Sequence, residues 1–384
     1  MIAKDLLKKV FNQNDIIKQL RSWEKKDKKN PNALTILDRK HWSSKLENMI
    51  LNLQRSNDLS GINKAILTIE AFYQSSFECL RPFLSSPHSD EVILVTAVKN
   101  NQSRIEHFLN HYRKIGVKFF VFIDNGSTDD TVKIILEQKD TACYKTLTKF
   151  TSETKTAWFN RVAAIFSPDN WFIMVDSDEL LAYPEMSRLS IQEYTKILQE
   201  KDIDFVKTLM LDVYPSRPLM DESMTDEEYL ATSIYFDKAE SYAQAKNSMS
   251  LRSRLFLDKK HEKPNLNKPA LFRFSNYFLL SSHYVYPKSA NERPHGGAVL
   301  HYKFLPSDKQ NYVNIVNEGA YYENDLKVYA SINKKVEELG HINPMCDSSV
   351  LFDPDESWKH LPFIVNLVET ERIDFSYDTD KSKK

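Results

Sequence analysis

EVILVTAVKNNQSRIEHFLNHYRKIGVKFFVFIDNGSTDDT, Glu91–Thr131, decides the fold class of this chain. EVILVTAV is an apolar run of buried-strand length, and SRIEHFLNHYRKIG then sets Ile105, Phe108, Leu109, Tyr112 and Ile115 on one helical face. VKFFVFID is a second strand-length run and STDDTVKIILEQ a second helix. Ser103 with Glu106, and Ser127 with Asp130, have capping-box spacing, while Gly116 falls where a helix end favours positive φ. Downstream, TAWFNRVAAIF reads as a helix and WFIMVDSDEL, starting at Trp171, as a third buried strand. Strands separated by helices predict right-handed crossovers onto a largely parallel sheet. Ligands of such sheets bind beyond the carboxyl ends of the strands.

Outward from this stretch the chain has 384 residues, 41% of them hydrophobic, enough to bury one large core or two modest ones. Fifty-two basic and 53 acidic side chains nearly cancel, so no basic footprint predicts nucleic acid as a partner. No apolar run reaches the ~18 residues of a spanning helix, and MIAKDLLKKVFNQND lacks a signal-peptide core, which together predict the cytoplasm. Residues 1–86 read as a helical N-terminal region interrupted at KKDKKNPNA and closed by the loop SSPHSD. Its amphipathic start could touch a membrane or a partner, but most such stripes simply pack on their own domain. Residues 87–330 follow as the α/β domain, and 331–384 as a helical or irregular extension. Cys79, Cys143 and Cys346 are few and far apart, which predicts reduced thiols without a disulfide framework or zinc site.

Three strand ends carry the polar residues of interest: Asn100 and Asn101, then Asp124, Asn125 and Gly126, then Asp176, Asp178 and Glu179. With seven glycines in the chain, Gly126 marks a backbone that must turn tightly before a helix, although an ordinary strand-to-helix turn has the same residues. Asp-x-Asp occurs four times, at Asp176/Asp178, Asp202/Asp204, Asp353/Asp355 and Asp378/Asp380. Only the first directly follows an apolar strand, where carboxylates are costly unless solvated or neutralised by a cation. Oxygen ligands on alternate residues suit Mg2+ or Mn2+. LMLDVYP brings Asp212 to another strand end, where it can serve as a general base or simply sit in the turn before Pro215. Arg252 and Arg254, alternate residues of a strand-like SLRSRLF, would share a face and grip a phosphate, or make surface ion pairs. His283 and His301 each end an apolar run, and His301 can complete a metal shell.

The ordered series VTAVKNNQSRIEHFLNHYRKIGVKFFVFIDNGSTDDT, WFIMVDSDELL, LMLDVYP, RSRLF and VLHYKF resembles the bacterial family-2-like glycosyltransferases of the GT-A fold over about residues 91–330. The resemblance implies a Rossmann-like, mainly parallel sheet and transfer of a sugar from a nucleotide-diphospho-sugar to a glycan or glycolipid acceptor. It further implies an inverting, Mn2+- or Mg2+-dependent reaction in bacterial surface polysaccharide synthesis, in the cytoplasm or at the inner face of the membrane. By position, Thr96, Asn100, Asp124, Asn125 and Gly126 would face the nucleotide sugar. Asp178 would bind the metal, Asp176 the ribose or metal, and His301 would join the metal. Arg161 would lie near the diphosphate with Arg252 and Arg254. The family's usual Glu-Asp base motif is not evident, which leaves Asp212 as the candidate base.

Three rivals have weaker support. A haloacid-dehalogenase-like phosphatase needs a hydroxyl two residues after its second aspartate, where Leu180 stands. A sugar nucleotidyltransferase needs a glycine-rich phosphate loop, which this chain lacks. A non-catalytic glycan-binding protein on a transferase fold has no need of the Asp176/Asp178 pair.

Overall fold

The computed structural model describes residues 13–167, 169–238, 250–257, 265–319 and 323–370. The fold is mixed α/β, with a mostly parallel sheet and flanking helices. In chain order the strands are β1 (Glu78–Arg81), β2 (Val92–Val98), β3 (Phe119–Asp124), β4 (Thr141–Lys145), β5 (Trp171–Met174), β6 (Glu179–Ala182) and β7 (Phe205–Asp212). They continue with β8 (Tyr235–Asp237), β9 (Asn267–Arg273), β10 (Phe278–Ser281), β11 (Tyr284–Tyr286), β12 (His295–His301) and β13 (Ser349–Leu351). Two compact units share them: Met1–Gln102, Lys118–Asp176 and Leu271–Pro287 form the first, and Ser103–Val117, Ser177–Ala270 and Lys288–Lys384 the second.

In the first unit the strands run β1-β4-β3-β2-β5, followed by the last residues of β9. β2 pairs in parallel with β3 from Ile93↔Phe119 to Val98↔Asp124 and with β5 from Val92↔Trp171 to Val95↔Met174. Val92–Val95 and Phe120–Ile123 are fully buried, as their unbroken apolar runs require of strands covered on both faces. The helices of the N-terminal region belong to this unit and do not stand apart from it. Helix Leu59–Gln74 buries Ile62, Ile66, Ile69 and Phe72 and packs on helix Ser152–Ala163. β1 adds an antiparallel strand beside β4, where the composition had suggested only helices.

The second unit runs from the first residues of β9 through β7 and β12 to β6. β12 is parallel to β7 and antiparallel to β6. Gly297 permits this close packing, because a Cβ there would lie 2.6 Å from the Ala182 carbonyl oxygen. Helix Glu323–Leu339 crosses the expected boundary at 330, and β13 pairs with β8, so the described part of the C-terminal extension is integral to this unit.

Three local expectations change. WFIMVDSDEL is two strands, because β5 stops at Met174 and the chain turns before β6 begins at Glu179. Neither proposed capping box forms: helix Gln102–Lys114 begins before Ser103, and the next helix begins at Thr131, leaving Ser127 in the turn. SLRSRLF contains a helix, Leu251–Phe256, instead of a strand. Gly116 does take positive φ, +99°, after its helix.

Candidate metal centre

Register builds the centre. In β12, His301 lies opposite Glu179 of antiparallel β6 and beside Asp212 of parallel β7, so three strand termini deliver their side chains together. The helix Gln102–Lys114 pins β6 at this point: Tyr112 donates its hydroxyl to the Glu179 carbonyl at 2.9 Å and accepts from the Leu181 amide at 2.9 Å. Asp178, one residue before β6, accepts the Tyr302 amide on its carbonyl at 2.7 Å, which fixes the backbone that carries its carboxylate.

His301 is 3% exposed and lies between two carboxylates. Its Nδ1 is 2.6 Å from Asp212 Oδ1, and its Nε2 is 3.4 Å from Asp178 Oδ2. The other Asp212 oxygen accepts from Arg252 Nε at 2.9 Å. Burial disfavours the Asp212 carboxylate, but Arg252 and His301 outweigh it and hold the group well below the usual carboxylate range. An ionised carboxylate can only accept, so Nδ1 carries a proton toward Asp212, while Nε2 faces Asp178 and is the atom that a metal would meet in place of that contact. This is the carboxylate–histidine arrangement that fixes the tautomer of metal-binding imidazoles.

Asp178, Glu179 and His301 form the metal-capable group among the described residues, each offering a ligand atom within 4.8 Å of the others. Burial would raise the Asp178 carboxyl, yet His301, Lys303 and Arg104 together hold it far below its ordinary value. Lys303 Nζ lies 4.0 Å from Asp178 Oδ2 and donates to the Tyr329 hydroxyl at 2.8 Å. Glu179, 1% exposed, pairs with Lys268 Nζ at 2.5 Å. The three carboxylates Asp178, Glu179 and Asp212 therefore face three cations, Lys303, Lys268 and Arg252. The oxygen and imidazole donors fit a divalent ion of the Mn2+ or Mg2+ type.

The other candidate residues are distributed differently from the sequence expectation. Asp176 is not in the metal-capable group: Lys155 Nζ reaches both its oxygens, at 2.7 and 3.0 Å. The turn after Met174 removes the extended geometry that would have set Asp176 and Asp178 on one face. Asp212, expected as a general base, has both oxygens engaged and is 1% exposed, which makes it a positioning residue for His301. Arg252 and Arg254 do not share a phosphate grip, since on a helix they reach separate carboxylates, Asp212 and Asp237. Arg161 lies away from any ligand edge. It is fully buried, 3.0 Å from Asp27, with its guanidinium over the Phe72 ring.

In the first unit Thr96 is fully buried within β2. Asp124 is also fully buried and accepts the Gly126 and Ser127 amides at 3.1 and 3.0 Å, so it shapes its turn. Asn125 donates to the carbonyls of Thr146 and Thr148, and Gly126 takes φ +77° as the turn demands. Asn100, itself at φ +53°, accepts the Thr128 amide and ties the two strand-end loops together. His283 sits in the turn between β10 and β11.

Lys268 and Arg104 were missed. Lys268 had a signal, a lysine inside the otherwise apolar run KPALFRF; a buried strand tolerates such a charge only with a partner. Arg104, paired with Asp308, had none, because its partner is 204 residues away. No helix among the described residues is long and apolar enough to cross a membrane. Comparison with models of known protein families and with curated protein sequences gave no match.

Proposed function

We propose that this protein is a metal-dependent glycosyltransferase that moves a sugar from a nucleotide-diphospho-sugar to a glycan or glycolipid acceptor. The observation that carries the reading is His301 held by Asp212 through Nδ1 with its Nε2 toward Asp178. Asp178 and His301 would hold the ion, with Glu179 beside them. Bound there, Mn2+ or Mg2+ would stabilise the charge that develops on a departing diphosphate. With an ion bound, Asp212 would hold the imidazole in the tautomer that turns an unprotonated Nε2 to it, and Arg252 keeps Asp212 ionised. Lys303, with its ammonium near Asp178, offers positive charge to anionic oxygens brought by a ligand.

Calorimetric titration with UDP and GDP tests the reading. Nucleotide binding should require Mn2+, vanish with EDTA and be lost in Asp178→Asn. Equal nucleotide affinity in all three conditions would remove the metal reading. Metal-dependent hydrolysis of one nucleotide sugar in a donor panel is the expected catalytic signature; metal-dependent nucleotide binding with no donor cleaved would instead indicate a non-catalytic protein.

A further inference from the structure

The second unit contains a cavity of about 490 Å3 lined by Trp358, Ile364, Glu185, Arg188, Asp355 and Asn366 among others. It lies at the end of the strands opposite the metal centre. β12 has the metal ligand His301 at its last residue, while its first, His295, bridges to Ile364 on the cavity wall. Seven residues of extended chain put the two sites roughly 20 Å apart. β6 makes the same connection from Glu179 toward Glu185.

The walls are organised before any ligand arrives. Glu185 is held at φ +74°, a conformation unfavourable to a side chain other than glycine and one that clusters at binding sites. One of its oxygens accepts from Asn366 Nδ2 at 2.9 Å and the other from Arg188. Asp355 accepts from the Ser187 hydroxyl. The Trp358 indole N–H is used on the Pro354 carbonyl at 2.5 Å and Phe352 meets the ring edge-to-face, so what this half-buried ring has left for a ligand is apolar surface. Glu185 Oε2 accepts from both Arg188 Nε and Nη2, so the acceptor capacity left for a ligand lies on Glu185 Oε1 and on the Asp355 carboxylate. A partly apolar cavity of this volume, with convergent planar acceptors around an aromatic ring, suits a ligand with an apolar face and a rim of hydroxyl donors.

We propose that this cavity binds a neutral oligosaccharide, by stacking a sugar on Trp358 and hydrogen bonding its hydroxyls to Glu185 and Asp355. The proposal stands apart from the transfer chemistry at Asp178. Saturation-transfer NMR and intrinsic fluorescence on the full chain, with lactose, maltose and cellobiose as probes and spermine as the cationic competitor, test it. At least one disaccharide should bind in the millimolar range. Trp358→Ala should weaken it by about tenfold or more, about 1.4 kcal/mol. Asp355→Ala, which removes both acceptor oxygens, should weaken it as well, whereas Asp178→Asn should not. If Trp358→Ala lowers the melting temperature, Arg188→Ala serves instead: its side chain is 71% exposed, and its loss should weaken binding by releasing Glu185. The proposal is overturned if no disaccharide binds or if a folded Trp358→Ala or Arg188→Ala binds like the parent. It is equally overturned if Asp178→Asn abolishes binding, if a folded Asp355→Ala binds like the parent, or if spermine occupies the site more tightly than every disaccharide.

Discussion

Asp212→Asn separates a positioning role from a general base. Asp212 contacts His301 Nδ1 at 2.6 Å and Arg252 Nε at 2.9 Å and is 1% exposed. The amide can present its own N–H to Nδ1, which would drive the imidazole proton to Nε2, the atom that faces Asp178. Loss of such an orienting partner typically costs 10–100-fold in metal affinity, or ~1.4–2.7 kcal/mol. Arg252 would also lose its charged partner. Breaking a buried pair costs ~3–5 kcal/mol, and since asparagine still accepts from Arg252, about 3 kcal/mol of stability loss is expected. Mn2+ titration in the presence of UDP or GDP measures the first quantity and urea denaturation the second. A base makes the opposite prediction, lowering turnover by ~10²-fold with metal affinity intact. A folded variant that binds Mn2+ normally and turns over slowly would refute the positioning assignment.

Three further outcomes follow from the packing. Gly297→Ala forces a Cβ to within 2.6 Å of the Ala182 carbonyl, so β12 and β6 must separate, at a cost of roughly 1–3 kcal/mol in urea unfolding and with weaker Mn2+ binding. Asp27→Asn removes the charge that faces both Arg161, at 3.0 Å, and Arg39, at 2.6 Å, and should destabilise the fold by ~3–5 kcal/mol; a change under ~1 kcal/mol would contradict the buried-pair reading. Burial pushes the His111 imidazole down to about 4 and, aided by Lys207, that of His295 to about 3. The unfolded chain therefore takes up protons first, from its ordinary ~6.5 downward, and stability should fall as pH drops from 7 toward 4. Each histidine removes about 2 kcal/mol between pH 7 and 5. Replacement of both by glutamine should flatten that part of the pH profile.

Much of the fold was legible because period and run length are local properties. EVILVTAV and VKFFVFID became parallel β2 and β3, and VLHYKF supplied the end of β12. Asp178 and His301 could be picked out because each stands next to an apolar run, where a polar group needs a reason. The turn DNGSTDD was also legible as a turn, including positive φ at Gly126.

What the tertiary structure alone decided was the partner of each charge. Asp176 and Asp178 look equivalent in sequence, yet a turn after Met174 gives the first to Lys155 and leaves the second beside His301. Arg161 belongs to Asp27 and Arg252 to Asp212, across 134 and 40 positions that no local pattern spans. The helix at Leu251–Phe256 is only six residues long, too short for periodicity to distinguish it from a strand. A carboxylate's role depends on which cation or imidazole lies within a few ångströms, because electrostatic and hydrogen-bond energies are set by distance and burial. Strand register fixes those distances, and register is a relation between segments far apart in the chain.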